Sequence, residues 1–197
     1  AQSFLKRVFT SAEVNAYAND KGVLFSSANS INIGRLFPQV AYYVSTYVSL
    51  VDNGAISEGE TFDVIVPTGN FGNILAGYFA KKMGVPIGKL ICASNQNKVL
   101  ADFFETGVYD MNRDFYTTSS PSMDILLSSN FERFLFYVAK EDAAKVAQWE
   151  KDLLETGKMS VSADELKTLR QEFEGGWIDD DETKAVINHV YNDFGYL

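Results

Sequence analysis

The sequence contains one cysteine and one histidine in 197 residues. The single thiol, Cys92, excludes an internal disulfide, and His189 alone argues against a metal centre built from cysteine and histidine. Nothing near Cys92 in the sequence favours a thiolate, so we expect a small buried strand residue rather than a nucleophile. The sequence therefore predicts neither a disulfide scaffold nor a metal site.

Positive charge is also scarce, with 17 lysines and arginines against 26 acidic residues and a formal net charge of −9. A nucleic-acid partner requires a basic face, so this balance argues against one. No apolar run is long enough to span a bilayer and no signal peptide is visible, which predicts a cytoplasmic protein without a membrane partner. The acidic run at residues 179–182 is expected to favour the start of the last helix.

What the sequence does contain is an ordered series of short apolar runs and helix-forming segments. Apolar runs predict strands at residues 23–27, 62–67 and 89–93, and a further short strand is considered at 115–117. Helices are predicted at residues 3–18, from a cap at Asn29 or Ser30 to 52, and at 74–83, 98–105, 131–140, 142–155, 163–174 and 183–194. Glycines 175 and 176 are expected to end the helix that begins near 163. The alternation predicts an α/β fold with right-handed βαβ units and a parallel sheet.

A glycine turn, residues 69–73, joins the predicted strand 62–67 to the next helix. Its residues are Gly69, Asn70, Phe71, Gly72 and Asn73. Backbone amides at a helix start form an anion site, most often for phosphate, although glycines at such a position also occur in purely structural turns. The turn lacks the Gly-Lys-Ser/Thr of a Walker loop and the Gly-x-Gly-x-x-Gly dinucleotide pattern.

A second candidate is the arginine turn, residues 29–35, which follows the predicted strand 23–27. It places Asn29 and Ser30 before a helix, with Arg35 about two turns into it. The alternative is a well-capped helix with a solvated arginine. Two strand–helix corners in one parallel sheet open on the same edge, where α/β proteins bind ligands. We therefore expect the two turns to share one pocket.

Four blocks of the sequence resemble the threonine synthase family, in its longer microbial and fungal form. They are Ser-Ala-Asn-Ser-Ile-Asn-Ile-Gly-Arg at 27–35, Pro-Thr-Gly-Asn-Phe-Gly-Asn-Ile-Leu-Ala-Gly at 67–77, Ile-Cys-Ala-Ser-Asn at 91–95 and Ser-Ser-Pro-Ser-Met-Asp-Ile-Leu at 119–126. The resemblance covers the chain to about residue 140. It implies a three-layer αβα fold with a parallel twisted sheet, like the tryptophan synthase β subunit (fold type II of the pyridoxal phosphate enzymes), here incomplete.

The resemblance also implies a reaction and the residues that serve it. The family's enzymes are lyases that use pyridoxal 5′-phosphate to convert O-phospho-L-homoserine and water to L-threonine and phosphate. By resemblance, Gly69, Asn70, Phe71, Gly72 and Asn73 bind the cofactor phosphate, and Asn29, Ser30 and Arg35 bind the substrate phosphate. Residues 1–140 would form the core of the large cofactor-binding domain, and 141–197 an acidic helical extension of it.

The resemblance further indicates a part of a longer chain. The family's Schiff-base lysine lies upstream in a Ser-Phe-Lys-type motif, and Ser-Phe-Leu-Lys at residues 3–6 departs from that motif and lies too near residue 27. Lys6 is therefore expected to be a helix-surface lysine. The chain also opens without methionine. We expect an inactive internal fragment that exposes apolar surface and can self-associate.

Two other functions remain open from the sequence. One is another fold type II enzyme, such as a dehydratase or cysteine synthase, against which the arginine turn argues because those enzymes bind no substrate phosphate. The other is a threonine-synthase-like relative without the lysine, which would act as a non-catalytic phosphate-binding module.

Overall fold

The computed structural model describes residues 2–196, apart from the side chains of residues 2, 3 and 6. The helices are α1 (Gln2–Thr10), α2 (Ala12–Asp20), α3 (Ile33–Asp52), α4 (Gly72–Lys82), α5 (Val99–Thr106), α6 (Phe131–Val138), α7 (Ala143–Thr156), α8 (Ala163–Glu172) and α9 (Asp180–Phe194). The strands are β1 (Phe62–Pro67), β2 (Ile87–Ser94), β3 (Val108–Asp110), β4 (Lys158–Ser160) and β5 (Phe173–Trp177), and a 3-10 helix spans Pro121–Met123.

A parallel sheet in the order β1-β2-β5 supports the candidate site. The predicted strand–helix–strand unit is confirmed as β1–α4–β2, with Val66 opposite Cys92. Helix α3 packs on α4, and α4, α5 and α8 contact the sheet. The predicted α/β class with a parallel sheet is thus confirmed, and a separate antiparallel pair, β3 with β4, was not predicted.

Strand β5 corrects the prediction that two glycines end a helix. Residues 173–177 pair in parallel with β2, and Gly175 lies opposite Cys92. A Cβ on Gly175 would stand 2.7 Å from both the Cα and the backbone oxygen of Ala101 in α5. A glycine is therefore needed at position 175, because α5 packs directly on the backbone of the strand. From the sequence alone, such a glycine cannot be told from one that ends a helix.

The segment before α3 differs most from expectation. Residues 3–18 form two helices instead of one, because Ser11 caps α2 through a hydrogen bond from the Val14 amide. Residues 23–27 form no strand, and Leu24 is 84% exposed. Residues 115–117 are not a strand either. Lys6 lies in α1, and the prediction for its side chain falls outside the described part of the chain.

The last three helices each begin at a polar cap residue. Asp142 caps α7, and Ser162 and Asp179 form capping boxes at α8 and α9. The acidic run therefore acts as expected, with anions at the positive end of a helix. The apolar side chains of α3 lie only partly in the core, since Tyr43 is buried while Val48 is exposed.

The core beside the glycine turn is aromatic. Its central rings are Phe71, Phe104, Phe131, Phe134 and Phe173, all nearly inaccessible to solvent. The ring centroids of Phe71 lie 5.1 Å from Phe131 and 5.7 Å from Phe173, so helices and β5 meet around one side chain of the turn. These contacts fix the position of the turn relative to the sheet.

Cys92 occupies the predicted buried strand position, whereas His189 lies at the surface. Cys92 is buried, and burial raises the pKa of its thiol to about 12, which keeps it protonated and unreactive. His189 is an exposed residue of α9 whose Nδ1 lies 3.2 Å from Asp193. Among residues 2–196, no helix has the length and apolar character needed to cross a membrane.

Candidate functional site

The glycine turn lies at the carboxyl end of β1 and leads directly into α4. Phe71 is the cap residue of α4, adopts a left-handed conformation with φ 60° and makes no side-chain cap hydrogen bond. Within the described residues, the backbone N–H groups of 69–73 have no hydrogen-bond acceptor. Successive free amides around a left-handed residue at a helix start form an anion-binding concavity, so the turn suits a phosphate group.

The glycine turn is fixed in position by the buried side chain of Phe71 and by contacts with the loop that follows β3. Phe71 is 1% exposed and points into the core, so only its backbone is available to a ligand. The Gly69 carbonyl accepts a 2.9 Å hydrogen bond from the Ser128 hydroxyl. A Cβ on Gly69 would stand 3.0 Å from the backbone oxygen of Ser122, so the serine-rich loop, residues 117–122, lies directly against the turn.

The side chain of Asn73 is engaged by α3. Its Oδ1 lies 2.8 Å from the Tyr43 hydroxyl, and its Nδ2 donates to Gln39 at 3.0 Å. Burial raises the pKa of Tyr43 well above its ordinary range, so the hydroxyl stays protonated as a donor. These bonds fix the first turn of α4 and leave the Asn73 backbone amide for a ligand.

The arginine turn differs from its predicted form in two respects. No strand precedes it, and the cap of α3 is Asn32, whose Oδ1 accepts from the Gly34 amide at 2.8 Å, instead of Asn29 or Ser30. The Asn29 side chain accepts from the Ile31 amide at 3.2 Å, which shapes the turn before the cap.

Arg35 is exposed on the first turn of α3. Its Nη1 donates to the Ala28 carbonyl at 3.1 Å, and no carboxylate within residues 2–196 pairs with it. The guanidinium therefore retains free donors and an uncompensated positive charge on the arginine turn. Such a group binds phosphate through paired N–H donors.

The two turns lie next to each other, although the expected route through two strand ends is wrong for the arginine turn. Asn130, ahead of α6, donates to the carbonyl of Asn70 at 2.8 Å and to that of Ser30 at 3.1 Å. The hydroxyls of Ser30 and Ser129 lie 3.4 Å apart. One buried side chain thus spans the distance between the turns.

Sequence reasoning missed the residues that join the turns. In the sequence, residues 128–130 form a short polar run before an apolar helix, a pattern that predicts a helix cap. Asn130 does precede α6, yet its side chain makes no cap hydrogen bond. The sequence offered no signal for this difference, because the partners lie 60 and 100 residues away.

A second polar network orders the serine-rich loop at the end of β2. The Asp124 carboxylate accepts from Asn95 at 2.7 Å, from Asn97 at 3.2 Å and from the Thr118 hydroxyl at 2.8 Å and amide at 2.9 Å. Desolvation raises the pKa of Asp124, but the hydrogen bonds from Thr118, Asn95 and Asn97 outweigh it and leave the pKa below its ordinary value. The network holds the loop against the glycine turn.

The chain resembles known proteins over its whole length. No protein-family model matches it. It is 46% identical to human "Threonine synthase-like 1" over all of the chain and 27% of that protein. PLP-bound threonine synthase from Brucella melitensis shares 42% identity and a TM-score of 0.87, over 100% of this chain and 40% of that one. Yeast threonine synthase shares 36% identity and a TM-score of 0.85, over 97% and 37%. The chain thus spans less than half the length of these relatives.

Proposed function

Because this chain belongs to the threonine synthase family, with the family's fold type II architecture, we propose that the complete protein converts O-phospho-L-homoserine and water to L-threonine and phosphate. The cofactor is pyridoxal 5′-phosphate. The observation that carries the proposal is the adjacency of the glycine turn and the arginine turn, which are bridged by one asparagine. A phosphorylated cofactor and a phosphorylated substrate require two such sites within one pocket.

The glycine turn suits the cofactor phosphate. The amides of Gly69, Asn70, Phe71, Gly72 and Asn73 lack protein acceptors, and the positive end of α4 adds to their field. When bound, the cofactor supplies the electron sink for the bond changes at the substrate. The residues of the turn bind its phosphate and orient it against the sheet.

The arginine turn suits the substrate phosphate. Arg35 offers a charged, planar set of donors, and Asn29 and Ser30 offer an amide and a hydroxyl beside it. A phosphate that is bound as substrate and released as product needs an accessible cation, and Arg35 is exposed. Its role is to bind and orient the leaving group.

The activity is proposed for the complete protein, since the chain covers only 27–40% of the relatives named above. The lysine that would hold the cofactor is expected outside these 197 residues, and so is the partner of the pyridine nitrogen. The chain alone is therefore proposed to be inactive.

A second function is favoured by a specific observation. The mammalian relatives with 44–46% identity are named "Threonine synthase-like 1" and not threonine synthase. The complete protein would then bind phosphorylated ligands at the same two turns without making threonine. Another fold type II lyase is less consistent with the arginine turn.

The experiment assays phosphate release from O-phosphohomoserine by the complete protein, with and without pyridoxal phosphate. We expect cofactor-dependent release in the wild type. Arg35→Ala should raise the KM for O-phosphohomoserine by 10-fold or more, consistent with about 1.5–3 kcal/mol for a hydrogen bond to a charged group, while the cofactor dissociation constant changes little.

Lys167→Ala, which removes an exposed cation from α8, is the matched control and should change neither constant. Cofactor and substrate binding without phosphate release would favour the non-catalytic function. Equal losses of cofactor and substrate affinity in Arg35→Ala would show that Arg35 only supports the fold of the site.

A further inference from the structure

The carboxamide of Asn130 lies between the two turns and is fully buried, with 0% exposure. Its Nδ2 donates to the Asn70 carbonyl of the glycine turn at 2.8 Å and to the Ser30 carbonyl of the arginine turn at 3.1 Å. Both N–H groups of one amide are thus used, one on each turn. A Cβ on Gly72 would stand 3.4 Å from this Nδ2, so the glycine leaves space for the Asn130 carboxamide.

Arg133 fixes the orientation of this carboxamide. Its Nη1 donates to Asn130 Oδ1, and its Nη2 donates to the Ile31 carbonyl at 2.6 Å. Because a guanidinium can only donate, the oxygen of Asn130 must face Arg133 and the NH₂ group must face the turns. The charge of Arg133 also strengthens its bond to the amide oxygen, which polarises the NH₂ group toward the two carbonyls.

The simpler role, a helix cap, does not account for the side chain. A capping asparagine accepts a hydrogen bond from an amide in the first turn of its helix. Asn130 precedes α6 but makes no such bond. All its side-chain hydrogen bonds go to Arg133 and to the two turns.

We propose that Asn130 is a positioning residue that sets the separation of the two phosphate-binding turns, with Arg133 fixing its orientation. We call the two hydrogen bonds from Asn130 to the Asn70 and Ser30 carbonyls the clamp, and their geometry supports it directly. The consequence of the clamp for catalysis rests on the proposed function. A reacting pair of cofactor and substrate must be held within a fraction of an ångström of its productive geometry. A single clamp on both turns links the positions of the two phosphates.

The first test uses Asn130→Asp in the complete protein. Aspartate keeps the shape and the acceptor for Arg133 but replaces the NH₂ donor with an oxygen that faces two carbonyls. We expect the cofactor dissociation constant and the KM for O-phosphohomoserine to rise together, each by about tenfold. Asn130→Ala removes the donor without adding a charge and should show the same paired change. It provides the test if Asn130→Asp folds poorly.

The matched control is Asn112→Ala. Asn112 also donates from Nδ2 to a backbone carbonyl, that of Thr156 at 2.8 Å, but contacts neither turn. It should leave both constants within twofold of the wild type. A purely structural loss at Asn130 would lower the amount of active protein, and therefore kcat, without moving either binding constant. Such a result, or a change in one constant only, would overturn the proposal.

The second test needs no ligand and separates the clamp from the proposed function. Backbone hydrogen exchange is measured on peptides that cover residues 28–35 and 69–76 in the unliganded complete protein. Both peptides should exchange faster in the two Asn130 variants and not in Asn112→Ala. Unchanged exchange, or faster exchange in one turn alone, argues decisively against the clamp. If the wild type binds no pyridoxal phosphate while both peptides exchange faster in the Asn130 variants than in the wild type, the proposed function is refuted and the clamp is supported.

Discussion

Substitution of Phe71 tests how the glycine turn is stabilised, because packing of its side chain favours the observed conformation whereas its backbone is strained in it. The ring is 1% exposed and packs against four other phenylalanines. Its backbone is left-handed, with φ 60°, a conformation that costs a residue bearing Cβ about 1–2 kcal/mol. The packing therefore holds a strained backbone in place.

Two truncations of Phe71 separate the packing of the ring from the strain of the left-handed backbone. Phe71→Ala removes the ring but keeps the strained Cβ, and the loss of a buried phenylalanine should cost about 3–5 kcal/mol. Phe71→Gly removes the same ring and also relieves about 1–2 kcal/mol of left-handed strain. Against this stands the larger backbone entropy of glycine, about 0.5–1 kcal/mol. The glycine variant should be the more stable one, by about 0.75 kcal/mol at the midpoints of these two ranges.

The assay is hydrogen exchange of the complete protein in increasing urea, measured on peptides from α4. Local stability should rank wild type first, then Phe71→Gly, then Phe71→Ala. The cofactor should bind more weakly to both variants, since the turn loses its anchor. If Phe71→Ala is as stable as Phe71→Gly, the left-handed strain is absent and the proposed geometry of the turn is incorrect.

Two further predictions concern the sheet and the serine-rich loop. Gly175→Ala should destabilise the protein by about 1–3 kcal/mol, because its Cβ would overlap the Ala101 backbone at 2.7 Å. The added Cβ of the adjacent Gly176→Ala would have nothing within 4 Å, so the free energy of unfolding should change by no more than about 0.5 kcal/mol. Chemical denaturation measures both changes. Asp124 has a folded pKa below its ordinary 3.8, so its stabilising contribution is present above pH 3.8 and is lost as the pH falls through the lower folded pKa. Acid unfolding of Asp124→Asn should therefore show a shallower pH dependence in that range, and identical profiles would contradict the hydrogen-bonded network.

The sequence alone determined the unit that carries the candidate site. A short apolar run, a glycine turn and a helix follow one another so closely that β1, the glycine turn and α4 were predictable from local propensity and spacing. The capping boxes of α8 and α9 were predictable for the same reason, because each is complete within four residues. The candidate residues of both turns were likewise recognisable from their local patterns.

Tertiary structure decided what no local pattern contains. Residues 173–177 become a strand because β2 offers hydrogen-bond partners and α5 packs on Gly175. Residues 23–27, with stronger strand character, have no such partner within residues 2–196. The arginine turn reaches the glycine turn through Asn130, which is distant in sequence from both, and not through a second strand end. Propensity acts over a few neighbouring residues, but the separation of the two turns is set by two hydrogen bonds from Asn130, whose partners meet only when the chain is folded.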